Sequence, residues 1–283
     1  MTRVAEDTAA PGSFSGEEVI VCRDLSFSFG KVKAVDALGL AVRSGERFAL
    51  LGPNGAGKTT TMQMLITMLR PSRGTASVLG FDILTQAPAV RSLIGVVFQE
   101  PALDDRLSAK ENLQMHAALY RLPHQGRREQ IASALEWASL SDAASRAVRT
   151  FSGGMKRRLE LARALMHSPK VLFMDEPTQG LDPQGRQNLW DRITTLKAEG
   201  LTTFMTTHYL QEAETCDRVG IIDHGALIAL GTPVELKQQV LGNETGSLEE
   251  VFLKLTGRDL RDEAASPRAR MMNFAKKGGE HTR

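Results

Sequence analysis

Two rhythms of apolar residues run along this chain. Residues 18–29 and 32–42 carry short alternating runs rich in Val, Phe and Leu, which predict strands of an antiparallel sheet. Residues 48–51 are continuously apolar, the pattern of a buried strand. Met62, Leu65, Ile66 and Leu69 follow at helix spacing. Arg73-Gly74 predicts a turn, 75–79 a strand, 80–82 a loop and 89–93 a short helix. Residues 94–98 predict another buried strand, ending at Gln99 just before Pro101 stops the pairing. From 108 to about 167 the pattern is helical throughout. Ser108 and Glu111 match a capping box, Ile131, Leu135 and Trp137 mark a second helix, and Ser152 caps a third over 155–166. Alternation then resumes: a strand over 171–174, a helix over 183–198 stopped by Gly200, and a strand over 202–206 ending at Thr207-His208. A hairpin of 219–222 and 226–229 turns at Asp223-His224-Gly225, and 248–255 is a short amphipathic helix. This order predicts an α/β fold with an antiparallel β subdomain first and a helical subdomain inserted over about 100–168.

The chemistry begins between the strand at 48–51 and the helix after it. Gly52-Pro53-Asn54-Gly55-Ala56-Gly57-Lys58-Thr59-Thr60 fits the phosphate-binding pattern G-x-x-x-x-G-K-[ST]. Glycines let successive N–H groups point at one phosphate, and the helix N-terminus adds partial positive charge. Lys58 would reach the β- and γ-phosphates of ATP, and Thr59 would hold Mg²⁺. The competing reading is a chance Gly-rich turn, and the strand and helix on either side disfavour it. The core is therefore expected to be a P-loop NTPase of RecA-like type.

Asp175-Glu176 ends an apolar strand. Phosphoryl transfer needs a carboxylate for the metal and a group that orients water. Asp175 suits the first task and Glu176 the second, against the plainer reading of a solvated acidic pair. His208, at the next strand end, suits a hydrogen bond to the γ-phosphate and to the water held by Glu176. His116, His124, His167, His224 and His281 carry no role. Phe29 either stacks on a purine or belongs to the core beside Phe27. Ser152-Gly153-Gly154-Met155 opens a helix and forms a second anion-binding end, unless it is an ordinary cap. One nucleotide site has no use for two such ends far apart in sequence. A two-fold dimer does: each nucleotide would lie between one copy's phosphate loop and the other's Ser152 helix.

Composition narrows the class. The chain has 283 residues, 42% hydrophobic and 24% charged, in the range of globular proteins. A net charge of +2 gives no footprint for nucleic acid. Cys22 and Cys216 form neither a metal pattern nor a disulfide framework. Residues 1–16 read as a flexible tail without a signal peptide, and no stretch reaches the roughly 18 apolar residues of a membrane span. If the protein serves a membrane, another chain must do the spanning. Residues 261–283 read as a basic disordered tail, in which Arg268, Arg270, Lys276, Lys277 and Arg283 surround Met271, Met272 and Phe274.

In this order the motifs resemble the ATP-binding subunit of ABC transporters. The likeness spans about 18–240. It comprises an aromatic loop at Phe29, Walker A from Gly52 to Thr60, and Gln99 as the Q-loop glutamine. The signature Ser152-Gly153-Gly154-Met155, Walker B ending in Asp175-Glu176, D-loop Gly180-Leu181-Asp182 and switch His208 complete it. The resemblance implies an ABC ATPase domain over 17–242, a helical extension over 243–260, and a homodimer sandwiching ATP and Mg²⁺. It also places Gln99 in the catalytic set and in the Mg²⁺ shell, and Asp182 among the nucleotide-binding residues. The segment after Gln99 and the helical subdomain would dock on a separate membrane permease, at the cytoplasmic face. Two positions depart from the family: Met155 replaces the usual Gln and cannot donate a hydrogen bond, and Gln179 replaces a small residue. The run from Ser247 to Arg258 resembles ATPases of drug and nodulation-factor exporters that work with ABC-2-type permeases, which favours export. An importer ATPase, or a soluble ABC ATPase acting on nucleic acid, a ribosome or a scaffold, is the alternative.

Overall fold

The computed structural model describes residues 18–257. β1 (Glu18–Phe29) and β2 (Val32–Arg43) pair antiparallel, as their alternating patterns require. β3 (Arg47–Leu51) is buried along its whole length and leads into the phosphate loop and α1 (Lys58–Leu65). This helix is shorter than its apolar spacing suggests. Ile66 is its C-cap and Thr67 takes a left-handed backbone, so Leu69 lies beyond it. β4 (Arg73–Val78) starts earlier than expected, because Arg73 and Thr75 already pair with Ser26 and Arg23 of β1. The loop expected at 80–82 is instead β5 (Phe81–Asp82), which pairs with the end of β4. These four strands form one sheet in the order β2-β1-β4-β5.

After α2 (Ala87–Leu93) and β6 (Ile94–Val97) the chain enters the helical insert. α3 (Ala109–Leu119), α4 (Arg127–Trp137) and α5 (Gly153–Leu165) share their own apolar core, built on Leu113, Ile131, Leu135, Val148, Phe151 and Leu159. The segment is not helical throughout. Between α4 and α5 only two three-residue 3₁₀ turns form. The backbone there bonds across to the loop before α3: Val148 N–H donates to Leu107 O and Arg149 N–H to Asp105 O. Ser108 and Ala147 form an isolated β-bridge.

β7 (Val171–Asp175), α6 (Pro183–Ala198), β8 (Thr202–Thr207), α7 (Leu210–Ala213), β9 (Arg218–Asp223) and β10 (Ala226–Gly231) complete the second sheet, ordered β10-β9-β3-β8-β7-β6. Five strands run parallel and β10 returns antiparallel as the edge hairpin. β3, β7 and β8 are buried on both faces, as central parallel strands are. On one face Phe48 stacks on Phe204, and Phe173 packs tilted against Phe204. α5 and α6 cover the other with α8 (Pro233–Leu241) and α9 (Leu248–Thr256). α8 escaped the sequence reading although Thr232, Pro233 and Glu235 spell its capping box. No helix among the described residues is long and apolar enough to cross a membrane. The two tails read from sequence lie outside the described residues.

Candidate functional site

The strand order assembles the site. β3, β8, β7 and β6 are neighbours running the same way, so their carboxyl ends lie in a row. From those ends leave, in turn, the phosphate loop, Thr207-His208, Asp175-Glu176 and Gln99.

The phosphate loop leaves little freedom. Gly57 has φ +103, and a Cβ on it would meet Ala34 O at 2.3 Å. It is also the N-cap of α1 and supplies no side-chain cap, so the first N–H groups of the helix have no side-chain acceptor. Such a turn fits an incoming phosphate. Lys58 is buried with its ammonium curled over the loop, donating to Gly52 O at 2.8 Å and Pro53 O at 3.0 Å, and 3.7 Å from Glu176 Oε1.

Thr59 Oγ1 donates to Asp175 Oδ1 at 3.1 Å. Thr206 on β8 donates to the same oxygen. One hydroxyl and one carboxylate fit Mg²⁺, which takes few protein ligands and completes its shell with phosphate and water.

Glu176 has a left-handed backbone, φ +44, and its N–H donates to Thr206 O at 3.1 Å. His208 Nδ1 is 3.1 Å from Glu176 Oε1. Burial pushes the Glu176 carboxyl up, but the His208 ring and the Lys58 ammonium outweigh it, and the net pKa lies below the ordinary value. Glu176 is thus a held carboxylate, suited to orienting water.

Of the remaining residues read from sequence, Phe29 stands 55% exposed at the end of β1, edge-on to Phe27 at 4.8 Å. That leaves a ring face open, against the core reading. Gln99 is engaged elsewhere: its amide donates to Gln179 Oε1 at 2.7 Å. Ser152 caps α5, accepting from Met155 N–H at 3.3 Å. Asp182 caps α6, accepting from Gly185 N–H at 2.9 Å. Ser152, Gly154 and Asp182 line a cavity of about 250 Å³ with Arg158 and Arg192, and no residue of the phosphate loop borders it. The phosphate loop and the Ser152 end therefore do not meet in this cavity.

Sequence reasoning missed the supports. Buried Glu212 accepts from Thr178 and, at 2.6 Å, from Thr207, joining the segment after Glu176 to the strand end before His208. Its carboxyl is pushed up by burial, against those hydrogen bonds. The four threonines of β8 were the available signal, since hydroxyls in a fully buried strand need partners.

Fold and site together define a P-loop nucleotide-binding ATPase. The chain belongs to the ABC transporter family, whose profile matches residues 35–179. It is 42% identical over 238 residues to the doxorubicin resistance ATP-binding protein DrrA of Mycobacterium tuberculosis, covering 84% of this chain and 70% of that one. It is 43% identical over 238 residues to the Nod factor export ATP-binding protein I of Ralstonia nicotianae, covering 84% and 74%. A solved ATP-binding subunit of an ABC transporter superposes with a TM-score of 0.77 at 30% identity, covering 84% of this chain and 99% of that one.

Proposed function

We propose that this chain is the ATP-hydrolysing subunit of an exporter, working as a homodimer on a separate ABC-2-type permease at the cytoplasmic membrane face. The observation that carries the dimer is the separation of the two phosphate-binding ends. Lys58 and Thr59 bond within the phosphate loop and to Asp175, while Ser152 and Gly154 border a cavity that no residue of that loop lines. A second copy turned head to tail brings them onto one nucleotide. The names of the relatives, doxorubicin resistance and Nod factor export, support the direction of transport.

On ATP arrival the Lys58 ammonium leaves the Gly52 and Pro53 carbonyls for the β- and γ-phosphates. Mg²⁺, held by Thr59 and Asp175 with Gln99 turned toward it, would neutralise charge developing on the phosphates. Glu176 and His208 orient the attacking water, and Phe29 offers a stacking face to the adenine. Ser152 and Gly154 close on the γ-phosphate from the other copy, so ATP holds the dimer shut and hydrolysis releases it.

A second cavity, about 290 Å³, supports the permease contact. Met68, Phe98, Tyr120, Arg163 and His167 line it, and it lies between the end of α1, β6 and the helical insert. Exposed Met115 and Leu119 extend the apolar surface along α3. Its position beside the Gln99 loop allows a docked helix to move that loop.

Purification from detergent-solubilised membranes tests the assignment. Recovery with a multi-span partner is expected, and recovery only with ribosomes or DNA overturns it. Mixing Lys58-defective with Ser152-defective copies tests the dimer: neither copy alone should turn over ATP, and a mixed pair should regain one working site. A mixture that recovers no activity rules out the shared site.

A further inference from the structure

We propose that Arg157, Glu160 and Arg163 are positioning residues that tie the loop carrying Gln99 to the backbone carrying Glu176, so that placement of the hydrolytic carboxylate follows α5. The proposal rests on the ATPase reading above and adds how the site is steered.

The three residues recur at every third position of α5, on one strip of the helix. Arg157 is buried, and its guanidinium is used on every side. Nε donates to Pro177 O at 2.7 Å. One terminal nitrogen donates to Phe98 O and, at 2.9 Å, to Glu160 Oε2. The other reaches Asp175 O at 3.3 Å and Glu176 O at 3.4 Å. Glu160 is wholly buried, and its second oxygen accepts from Phe98 N–H at 3.4 Å and Ala102 N–H at 3.2 Å. Arg163 donates to Ala102 O. Both ends of the segment 98–102, which contains Gln99, are therefore held by α5. The guanidinium that holds one end also holds residues 175–177.

The choice of residue has a reason. Only arginine offers five donors in one rigid plane, enough to span four carbonyls and a carboxylate. A buried ion pair adds little stability over apolar packing of the same volume, whereas it fixes geometry. Here there is geometry to fix, because Glu176 sits in a left-handed conformation that persists only where its surroundings hold it. Thr206 holds its N–H side and Arg157 its carbonyl. α5 also begins at Ser152 and carries Arg163 into the cavity beside the Gln99 loop. Movement at either end reaches Glu176 through Arg157.

The test compares the full chain with Arg157→Lys, measuring melting temperature, ATP affinity, KM and kcat. Lysine keeps the charge beside Glu160 but cannot span the carbonyls of Phe98, Asp175, Glu176 and Pro177. Expected are ATP affinity and KM within about twofold of the unmutated chain and a kcat lower by roughly 10- to 100-fold, the effect of a misplacement of about 1 Å. Hydrogen exchange at 98–102 and 175–177 should rise together. A folded variant with unchanged kcat overturns the proposal. Should Arg157→Lys fail to fold, Arg157→Gln combined with Glu160→Gln removes both charges of the buried pair, leaves Arg163 bonded to Ala102 O, and should show the same split between kcat and KM. Unchanged kcat in that variant, or failure of both to fold, overturns the proposal and leaves the set purely structural. An unmutated chain that hydrolyses no ATP overturns the ATPase reading itself, and the proposal with it.

Discussion

The phosphate loop and the Ser152 end of α5 are built in opposite ways. The loop at 52–60 is a socket wired in advance: buried Lys58 bonds its own loop, Thr59 bonds Asp175, and a Cβ on Gly57 would strike Ala34 O. The end at 152–154 is a bare face. Ser152 is exposed, and a Cβ on Gly154 would meet nothing within 4 Å. The first is ordered by bonds within its own chain, and the second leaves open space beside Gly154.

The largest effects should come from the socket. Lys58→Ala should cut hydrolysis by on the order of 10³-fold and weaken ATP binding with it, because the charge that meets the phosphates is gone. Glu176→Gln should cost on the order of 10²–10³-fold in kcat while ATP binding stays within about twofold and ATP-bound dimers accumulate on gel filtration. Near-normal turnover in Glu176→Gln would show that the carboxylate does not orient the water.

The glycines separate the two ends next. Gly57→Ala forces a left-handed backbone and a clash, so it should cost about 1–3 kcal/mol and lower the melting temperature by several degrees. Gly154→Val has open space around it and should leave the stability within about 1 kcal/mol of normal. Its hydrolysis should nonetheless fall more than about tenfold, since the added methyls would stand where the proposed second copy brings its nucleotide. If Gly154→Val unfolds the chain, or leaves turnover intact, the contrast between socket and face is wrong.

Much of this was legible locally. The phosphate loop, the apolar run before Asp175-Glu176 and the cap at Ser152 each lie within a few consecutive residues, where spacing reports geometry directly. The supports were not. Arg157 reaches Phe98 and Pro177, residues far along the chain, and no periodicity announces that reach. The helical pattern over 108–167 misled between α4 and α5 because the backbone there bonds to a neighbouring loop instead of to itself. Gln179 was visible as a departure from the family, but its contact with Gln99 needed the fold.

Acid titration sharpens the comparison further. The Glu176 pKa is depressed in the folded chain, so its contribution to stability is fully present above the ordinary carboxylate value and is lost as pH falls through the depressed one. The melting-temperature difference between the unmutated chain and Glu176→Gln should therefore shrink in that acid window. Gly154→Val, which touches no shifted group, should track the unmutated chain across it.

The smallest effect concerns the amide pair. Gln99 and Gln179 make an exposed hydrogen bond, and such bonds contribute about 0.5–1.5 kcal/mol. Gln179→Ala should free Gln99 and lower KM for Mg-ATP by roughly two- to fivefold, with a melting temperature lower by only a few degrees. A raised KM would mean that Gln179 helps place Gln99 instead of detaining it.

α5 has one more consequence. Its thirteen residues make a rod about 20 Å long. One tip borders the cavity lined by Ser152 and Gly154, and the far end borders the cavity beside the Gln99 loop. A tilt of about 3° moves one tip by about 1 Å relative to the other, the distance over which a water ceases to be in line for attack. The helix is thus a lever, with Arg157 close to its fulcrum.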